Sequence, residues 1–259
     1  MDKRTIILLN GIALVTILII NALANILPIN GMNTGEISAL YPSLFTPAGF
    51  TFSIWSVIYL LLIGFVLAQR TISTSPKFYE LSLWFWLSCL ANGGWILAWH
   101  YHYLVASVVI MITLLFSLVR IFLLMQSMPL STPVQKVFVK LPFTFYLSWI
   151  CVATIANLSA LLVSWSWEGG PLSATSWTIV MMSVATVLAI YIVARFLDPA
   201  FLLVLIWALF GIYSKWTGTE NNSIAWVAFA ELIILALLFI FFVIRKKSSV
   251  NDVKPGVGY

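Results

Sequence analysis

The sequence predicts an all-α, polytopic membrane protein with eight transmembrane helices. Of its 259 residues, 62% are hydrophobic and only 8% are charged, whereas soluble proteins carry about 25% charged residues. The hydrocarbon core of a bilayer is about 30 Å thick, so each crossing needs about 20 apolar residues. Eight segments meet this requirement: residues 5–27, 50–69, 80–100, 103–125, 138–164, 175–195, 199–215 and 223–244.

The distribution of basic residues supports eight crossings with both termini in the cytoplasm. If the N-terminus is cytoplasmic, twelve of the 13 lysine and arginine residues lie on the cytoplasmic side, and only Lys215 lies on the other. The positive-inside rule predicts this bias, and an odd number of wrong helices would remove it. We therefore expect an integral protein of a prokaryotic plasma membrane. Its net charge of +5 reflects topology and does not indicate a nucleic-acid partner.

The first segment has two readings, a cleaved signal peptide or a retained helix. It has a basic start, and residues 22–24 (ALA) imitate a signal-peptidase site. However, the apolar run of residues 5–20 slightly exceeds the usual 7 to 15 residues or so of a signal sequence. We expect a retained helix, in which Asn10, Asn21 and Asn25 face other helices and not lipid.

Residues 28–49 form a long loop that the charge pattern places outside the membrane. The loop contains three prolines and three glycines together with aromatic and aliphatic residues. Loops of this length in compact folds are usually functional or disordered, and the apolar content argues against disorder. We expect an ordered lid over the outer helix ends. The alternative is an interfacial loop whose apolar residues touch lipid headgroups.

Three of the predicted helices each present one stripe of aromatic and polar side chains. Residues three or four apart lie on the same face of a helix. The stripes are Trp55 and Tyr59, then Asn92, Trp95 and Trp99, then Trp149, Ala153 and Asn157. An apolar pocket with a few well-placed polar groups is typical of a small-molecule site, so we expect the stripes to converge on one cavity.

Three segments resemble signature segments of the tryptophan-rich sensory protein family, also called the translocator protein or peripheral benzodiazepine receptor family. They read FTFSIWSVIY, ANGGW and YLSWICVATIAN. The matching positions are Pro47, Trp55 and Tyr59, then Asn92 and Trp95, then Tyr146, Leu147, Trp149, Ala153, Thr154 and Asn157. The third match is long and specific. The resemblance covers about residues 5–164.

The resemblance implies a five-helix ligand-binding bundle, residues 1–164, with the lid loop at residues 28–49. It implies a pocket for porphyrins and synthetic aromatic ligands, with no obligatory cofactor. The implied ligand-binding residues are Pro47, Trp55, Tyr59, Asn92, Trp95, Tyr146, Trp149, Ala153 and Asn157. Thr46 and Gly49 stand where a proline and a tryptophan are common in the family loop. The sterol motif of some members is absent at the end of helix five, so we do not predict sterol binding.

Residues 165–245 add three helices for which the resemblance offers no counterpart, and residues 246–259 are read as a cytoplasmic tail. Asp198-Pro199 predicts a tight turn in which the aspartate caps the next helix. Glu231 lies inside the last helix, and an intramembrane carboxylate is a candidate proton or cation site. It could also pair with Lys215, or be a protonated structural group bonded to a neighbouring helix.

Three functions remain open at this stage. The first is a receptor or sensor that binds a flat hydrophobic ligand such as a porphyrin. The second is a membrane transporter of a small hydrophobic or tetrapyrrole substrate, which Glu231 favours. The third, implied by the resemblance alone, is light-dependent porphyrin breakdown, so enzymatic activity is left undecided. We expect membrane lipid as a partner and a homodimer as a candidate assembly.

The cysteines and histidines add little to these functions. Cys89 and Cys151 both lie inside predicted helices and form no disulfide framework or CxxC metal pattern. His100 and His102 lie at an external helix end. They are either a solvated interfacial pair or, less simply, a metal site.

Overall fold

The computed structural model describes residues 1–167 and 169–251, with residues 246–251 as backbone. Each of the eight predicted membrane segments is a helix, and this confirms the all-α fold. The two remaining helices, α2 and α6, are short and lie in loops. The helices in the described chain are α1 Lys3–Ile26, α2 Thr34–Ala39, α3 Ile54–Ala68, α4 Phe78–His100, α5 Leu104–Gln126, α6 Pro133–Gln135, α7 Leu141–Ser164, α8 Ala174–Phe196, α9 Ala200–Trp216 and α10 Asn222–Asn251.

α9 differs from the other long helices in length and burial. Seven helical segments of the described chain, 23 to 32 residues long, are long and apolar enough to cross a membrane. α9 has 17 residues, or about 25 Å at 1.5 Å per residue. It packs against α7, α8 and α10, and Leu202 and Ala208 on it are fully buried. α9 is therefore an interior helix of the C-terminal region.

Most of the predicted cytoplasmic tail, residues 246–259, lies outside the residues that the structure describes. The backbone of α10 continues to Asn251. Residues 252–259, including the basic residue Lys254, lie outside the described residues.

α1 to α7 form a bundle in which α1 packs against α3 and α4, α4 against α5, and α7 against both α3 and α5. We call the end that carries residues 28–49 and the α4–α5 turn the loop end. Away from it, the edge-to-face rings of Phe65, Phe85 and Phe143 fill the bundle, with centroids 4.8 to 5.9 Å apart. Such pairs add to the energy of simple area burial. Aromatic packing therefore fills this part of the bundle, and the three cavities described below lie near the loop end.

Two of the three asparagines of α1 face other helices as predicted. Asn10 donates to Gln69 Oε1 at 2.7 Å and to Ser82 Oγ at 3.0 Å. Asn21 donates to Asn92 Oδ1 at 2.9 Å. The prediction is wrong for Asn25, which is exposed and donates to a carbonyl of its own helix, Asn21 O.

The capping role predicted for Asp198 is wrong. No side chain caps the start of α9. Instead, Asp198 Oδ2 accepts a hydrogen bond from Thr144 Oγ1 at 2.8 Å and lies 3.2 Å from Lys140 Nζ. The carboxylate is nearly buried against α7, and a buried charge needs such partners. Asp198 therefore fastens the α8–α9 turn to α7.

Candidate functional site

Four aromatic rings form a ladder at the loop end of the bundle. In order they are Tyr59, Trp55, Trp95 and Trp99, which we call the aromatic ladder. Neighbouring centroids are 5.5, 6.3 and 5.9 Å apart, and the ring planes are within 27° of parallel. Offset stacking at these distances is the favoured geometry for aromatic pairs. The i, i+4 spacings on α3 and α4 produce the ladder, because each brings two rings onto one helix face.

Two rings of α7 meet the ladder edge-on at Trp55. The centroid of Tyr146 lies 5.7 Å and that of Trp149 lies 6.3 Å from Trp55, at angles of 73° and 83°. Phe52 packs against the other side of Trp149 at 6.1 Å. Two of the three predicted stripes therefore converge on the third at Trp55.

Asn92 connects four helices beside the ladder. Its Nδ2 donates to Tyr146 Oη at 2.7 Å, and its Oδ1 accepts from Asn21 Nδ2 at 2.9 Å and from Tyr59 Oη at 3.5 Å. Asn92 is fully buried, and buried amides of this kind are costly unless their hydrogen bonds are made. Asn92 and Tyr146 line none of the cavities described below. Their role here is to position the rings.

Asn157 makes a second buried network at the far side of the ladder. Its Oδ1 accepts a hydrogen bond from Trp95 Nε1 at 3.1 Å, and its Nδ2 donates to Ser107 Oγ at 2.9 Å. This network fixes the plane of the Trp95 ring. The spacing of α7 brings Asn157 here because it lies two turns beyond Trp149.

A small cavity lies between the ladder, α7 and the loop, and we call it the ladder cavity. Its volume is about 30 Å³, room for about two water molecules. Five predicted residues on helices and the predicted loop proline line it. They are Pro47, Trp55, Trp95, Trp149, Ala153 and Asn157.

The indole of Trp149 has no hydrogen-bond partner. Trp149 is 2% exposed and lines the ladder cavity, yet its Nε1 donor is unpaired. Buried indole N–H groups usually find an acceptor, and an unmade buried bond costs about 1 to 3 kcal/mol. The donor is therefore free to bond an acceptor atom that comes within reach of the Trp149 indole.

A larger opening, the side groove, lies between α1, the start of the loop and the other face of the ladder. Its volume is about 480 Å³, within the range of about 300 to 1,000 Å³ typical of ligand pockets. Tyr59 lines the side groove and does not line the ladder cavity. Trp55, Trp95, Phe52 and Thr34 line both. The predicted single cavity is therefore two spaces separated by aromatic side chains.

The first half of the loop is ordered by contacts with the end of α4. Asn33 and Glu36 form a capping box at the start of α2. Thr34 Oγ1 lies 3.1 Å from His100 Nε2, and Thr34 O accepts from Trp99 Nε1 at 3.3 Å. His100 Nδ1 lies 3.0 Å from Ile29 O.

Both histidines therefore contact the loop. His102 Nδ1 lies 3.0 Å from Tyr41 Oη, and His100 is fully buried. Neither is a free interfacial side chain. No group of three metal-ligating side chains occurs in the chain as described.

Two site residues, Phe52 and Thr34, were not singled out from the sequence. Phe52 precedes the regular helix, in a 3₁₀ turn Gly49–Ser53. Helical spacing gives no signal for a residue outside the regular helix. Thr34 is a loop residue whose position depends on His100, which no local pattern can predict.

Glu231 lies away from this site. Its two carboxyl oxygens accept hydrogen bonds from Ser183 Oγ and Thr186 Oγ1 of α8, both at 2.8 Å. Glu231 is 8% exposed and lines none of the cavities described here. The alternative pairing with Lys215 is not what the structure has, because Lys215 donates to loop carbonyls instead.

A third opening, the α7–α8 groove, has a volume of about 340 Å³. Its walls are α7, α8 and the loop segment 42–45, and Trp167 and Trp177 lie at one end. Its lining is mostly apolar, and the hydroxyls of Thr154, Ser159 and Thr178 in it already bond to backbone carbonyls. It therefore offers a ligand little beyond apolar contact.

Comparison with known proteins supports the resemblance. The family model described as "TSPO-like protein" matches residues 6–242. The match extends past residue 164 and includes α8, α9 and most of α10. No curated protein and no solved structure matches the chain significantly. Because one family model covers nearly the whole sequence, with membrane-spanning helices throughout, the chain is an integral membrane protein that belongs to the TSPO-like protein family.

Proposed function

We propose that this protein is a membrane receptor or sensor that binds a flat hydrophobic, porphyrin-like ligand at the aromatic ladder. The observation that carries the proposal is that Trp149, which lines a cavity walled by stacked rings, has a buried Nε1 donor without a hydrogen-bond partner. Indole faces suit planar conjugated rings, and a porphyrin bears carboxylate and nitrogen acceptors. The stacked rings and the unpaired donor are therefore chemically suited to such a ligand.

The volumes indicate how the ligand enters. The ladder cavity, at about 30 Å³, is too small for any porphyrin. The side groove, at about 480 Å³, is large enough to admit part of one and shares Trp55 and Trp95 with the ladder cavity. We infer that a ligand enters from the side groove and that the Trp55 ring moves to join the two spaces. The small ladder cavity, with the Trp55 ring between the two spaces, is the ligand-free state in this scheme.

The same proposal places the loop end on the non-cytoplasmic side. The basis is the charge pattern, since Lys215 at the loop end is the single basic residue predicted outside. The test of this topology uses single cysteine substitutions in a background without the native cysteines. The substituted residues are Leu40 and Tyr79, which are exposed and lie at opposite ends of the helix bundle. A membrane-impermeant maleimide added to intact cells should label Leu40→Cys and leave Tyr79→Cys unlabelled. The reverse pattern would overturn the topology.

Replacing Trp149 with phenylalanine tests the role of its donor. We expect the affinity for protoporphyrin IX to fall about fivefold, the effect of one lost hydrogen bond of about 1 kcal/mol. The ligand-free protein should lose stability only through the smaller ring volume, because Nε1 has no hydrogen-bond partner to lose there. The measurements are a titration followed by porphyrin absorbance and thermal unfolding in detergent.

Trp95→Phe is the matched control for this experiment. Trp95 Nε1 already donates to Asn157 Oδ1, so this variant should destabilise the ligand-free protein more than Trp149→Phe, which loses the same ring volume but no hydrogen bond. If Trp149→Phe binds protoporphyrin IX as tightly as the parent, the ligand does not use that donor.

A change of Glu231 to glutamine separates binding from proton-coupled transport. A group that biases a transport cycle must differ in protonation or partners between states. Glutamine keeps the shape of Glu231 and can still bond both Ser183 and Thr186. We expect Glu231→Gln to bind protoporphyrin IX like the parent at every pH tested. Loss of pH-dependent flux in proteoliposomes, with the variant still folded, would instead favour the transporter.

A further inference from the structure

The outer half of α9 holds the second half of the loop through backbone groups of the loop. Trp207 Nε1 donates to Thr51 O at 2.9 Å, and Trp216 Nε1 donates to Leu44 O at 2.8 Å. Lys215 Nζ donates to Thr46 O at 2.8 Å. These donors are half-buried side chains of one helix, and their acceptors are three backbone carbonyls within residues 44–51. Hydrogen bonds to the backbone hold the loop path regardless of loop side chains.

Gly211 makes the closest approach between the two elements. Its carbonyl oxygen accepts a hydrogen bond from Ala48 N at 3.1 Å. A Cβ on Gly211 would overlap Thr51 Oγ1 and would lie 3.0 Å from Pro47 Cβ. The absence of a side chain therefore lets the loop backbone lie directly on α9, with Trp207, Lys215 and Trp216 around the contact.

The held segment carries part of the candidate site. Pro47 and Phe52 both line the ladder cavity, and Phe52 packs on Trp149. These two residues flank Gly211's contact points, Ala48 and Thr51. Any displacement of the segment from α9 would move Pro47 and Phe52 away from the ladder.

The geometry points to α9 as a clamp that positions the second half of the lid over the aromatic ladder. Its positioning residues are Trp207, Gly211, Lys215 and Trp216. This assigns a task to the three C-terminal helices, since α8 and α10 pack on α9 and hold it in place. A loop fixed in the bound geometry loses less entropy when a ligand binds. The effect on ligand binding rests on the proposed function, whereas the clamp itself can be tested without ligand.

The test uses the double variant Trp207→Phe/Trp216→Phe. It keeps an aromatic ring at each position and removes two of the hydrogen bonds from α9 to the loop. The reporter is Thr46→Cys in a background with Cys89→Ala and Cys151→Ala, because Thr46 is 7% exposed. We expect maleimide labelling of the ligand-free protein to accelerate about 30-fold, the effect of two net hydrogen bonds on a local opening equilibrium. Lys215→Met, which removes the donors to Thr46 O and Ser43 O, should also accelerate labelling.

The matched control is Trp226→Phe on α10, since Trp226 is 59% exposed and lies on a helix that does not hold the loop. It should leave the labelling rate unchanged. Unchanged labelling in both Trp207→Phe/Trp216→Phe and Lys215→Met would overturn the clamp.

Ligand release is measured separately, as dissociation of protoporphyrin IX from the same variants. Faster dissociation, by a factor similar to that in labelling, supports the clamp acting on the site. If the parent does not bind protoporphyrin IX, the proposed function fails, and accelerated labelling still supports the clamp. If the parent binds but the clamp variants release the porphyrin at the parent rate, α9 does not position this site.

Discussion

Replacing Trp55 with alanine is expected to weaken binding of protoporphyrin IX about 30-fold, or about 2 kcal/mol. Trp55 lies at the centre of the site, within 6.3 Å of Tyr59, Trp95, Tyr146 and Trp149. Each aromatic contact contributes about 0.5 to 1.5 kcal/mol beyond area burial. A ligand stacked on the ladder would lose its contact with Trp55, and the neighbouring rings would lose their alignment.

The matched control is Trp226→Ala, which removes an exposed indole far from the ladder in the fold. Porphyrin absorbance reports binding to both variants without depending on the number of tryptophans. Wild-type affinity in Trp55→Ala would exclude the ladder as the ligand site. The α7–α8 groove, with a volume of about 340 Å³, would then be the alternative candidate for the ligand site.

Replacing Asn92 with leucine is expected to lower the free energy of unfolding by about 2 kcal/mol. Asn92 makes three side-chain hydrogen bonds to other helices, and such bonds average about 0.6 kcal/mol each in membrane proteins. Leucine has a similar size but cannot pair with Asn21 or Tyr146, which would be left partly unsatisfied inside the bundle. Thermal unfolding in detergent measures the loss.

Asn25→Leu serves as the control for Asn92→Leu. Asn25 is exposed and bonds only a carbonyl of its own helix among the contacts described, so this change should leave stability nearly unaltered. Equal stability of Asn92→Leu and the parent would mean that the amide network contributes no net stability.

Much of the candidate site could be predicted from the sequence because it lies on regular helices. Helical spacing placed Trp55 above Tyr59 and Trp95 near Asn92, and it brought Trp149, Ala153 and Asn157 onto one face. Helical spacing alone does not predict that Asn92 and Tyr146 bond to each other beside the rings. It also does not predict that Trp149 lines the ladder cavity. Both features depend on which side chain the neighbouring helix presents.

The fate of the ionisable residues could not be predicted in the same way. Local sequence placed Glu231 inside a helix, but Ser183 and Thr186, which satisfy it, lie on another helix. Asp198 was read as a cap because caps are local, yet its partners are on α7. A buried charged side chain is stabilised by the polar groups that the fold brings close to it. Local sequence patterns do not give the distances between a side chain and groups on other helices.

The sequence by itself determined the helices, the family and most of the ladder. Apolar run length sets a membrane helix, and spacing along one helix sets a face, so both are local properties. Only the tertiary structure decided that the ladder cavity is small, that the loop rests on α9, and that Lys215 donates to the loop. The contacts between the loop and α9 join residues more than 150 positions apart in the chain. They depend on how whole helices pack, because a contact between distant segments forms only where their faces meet.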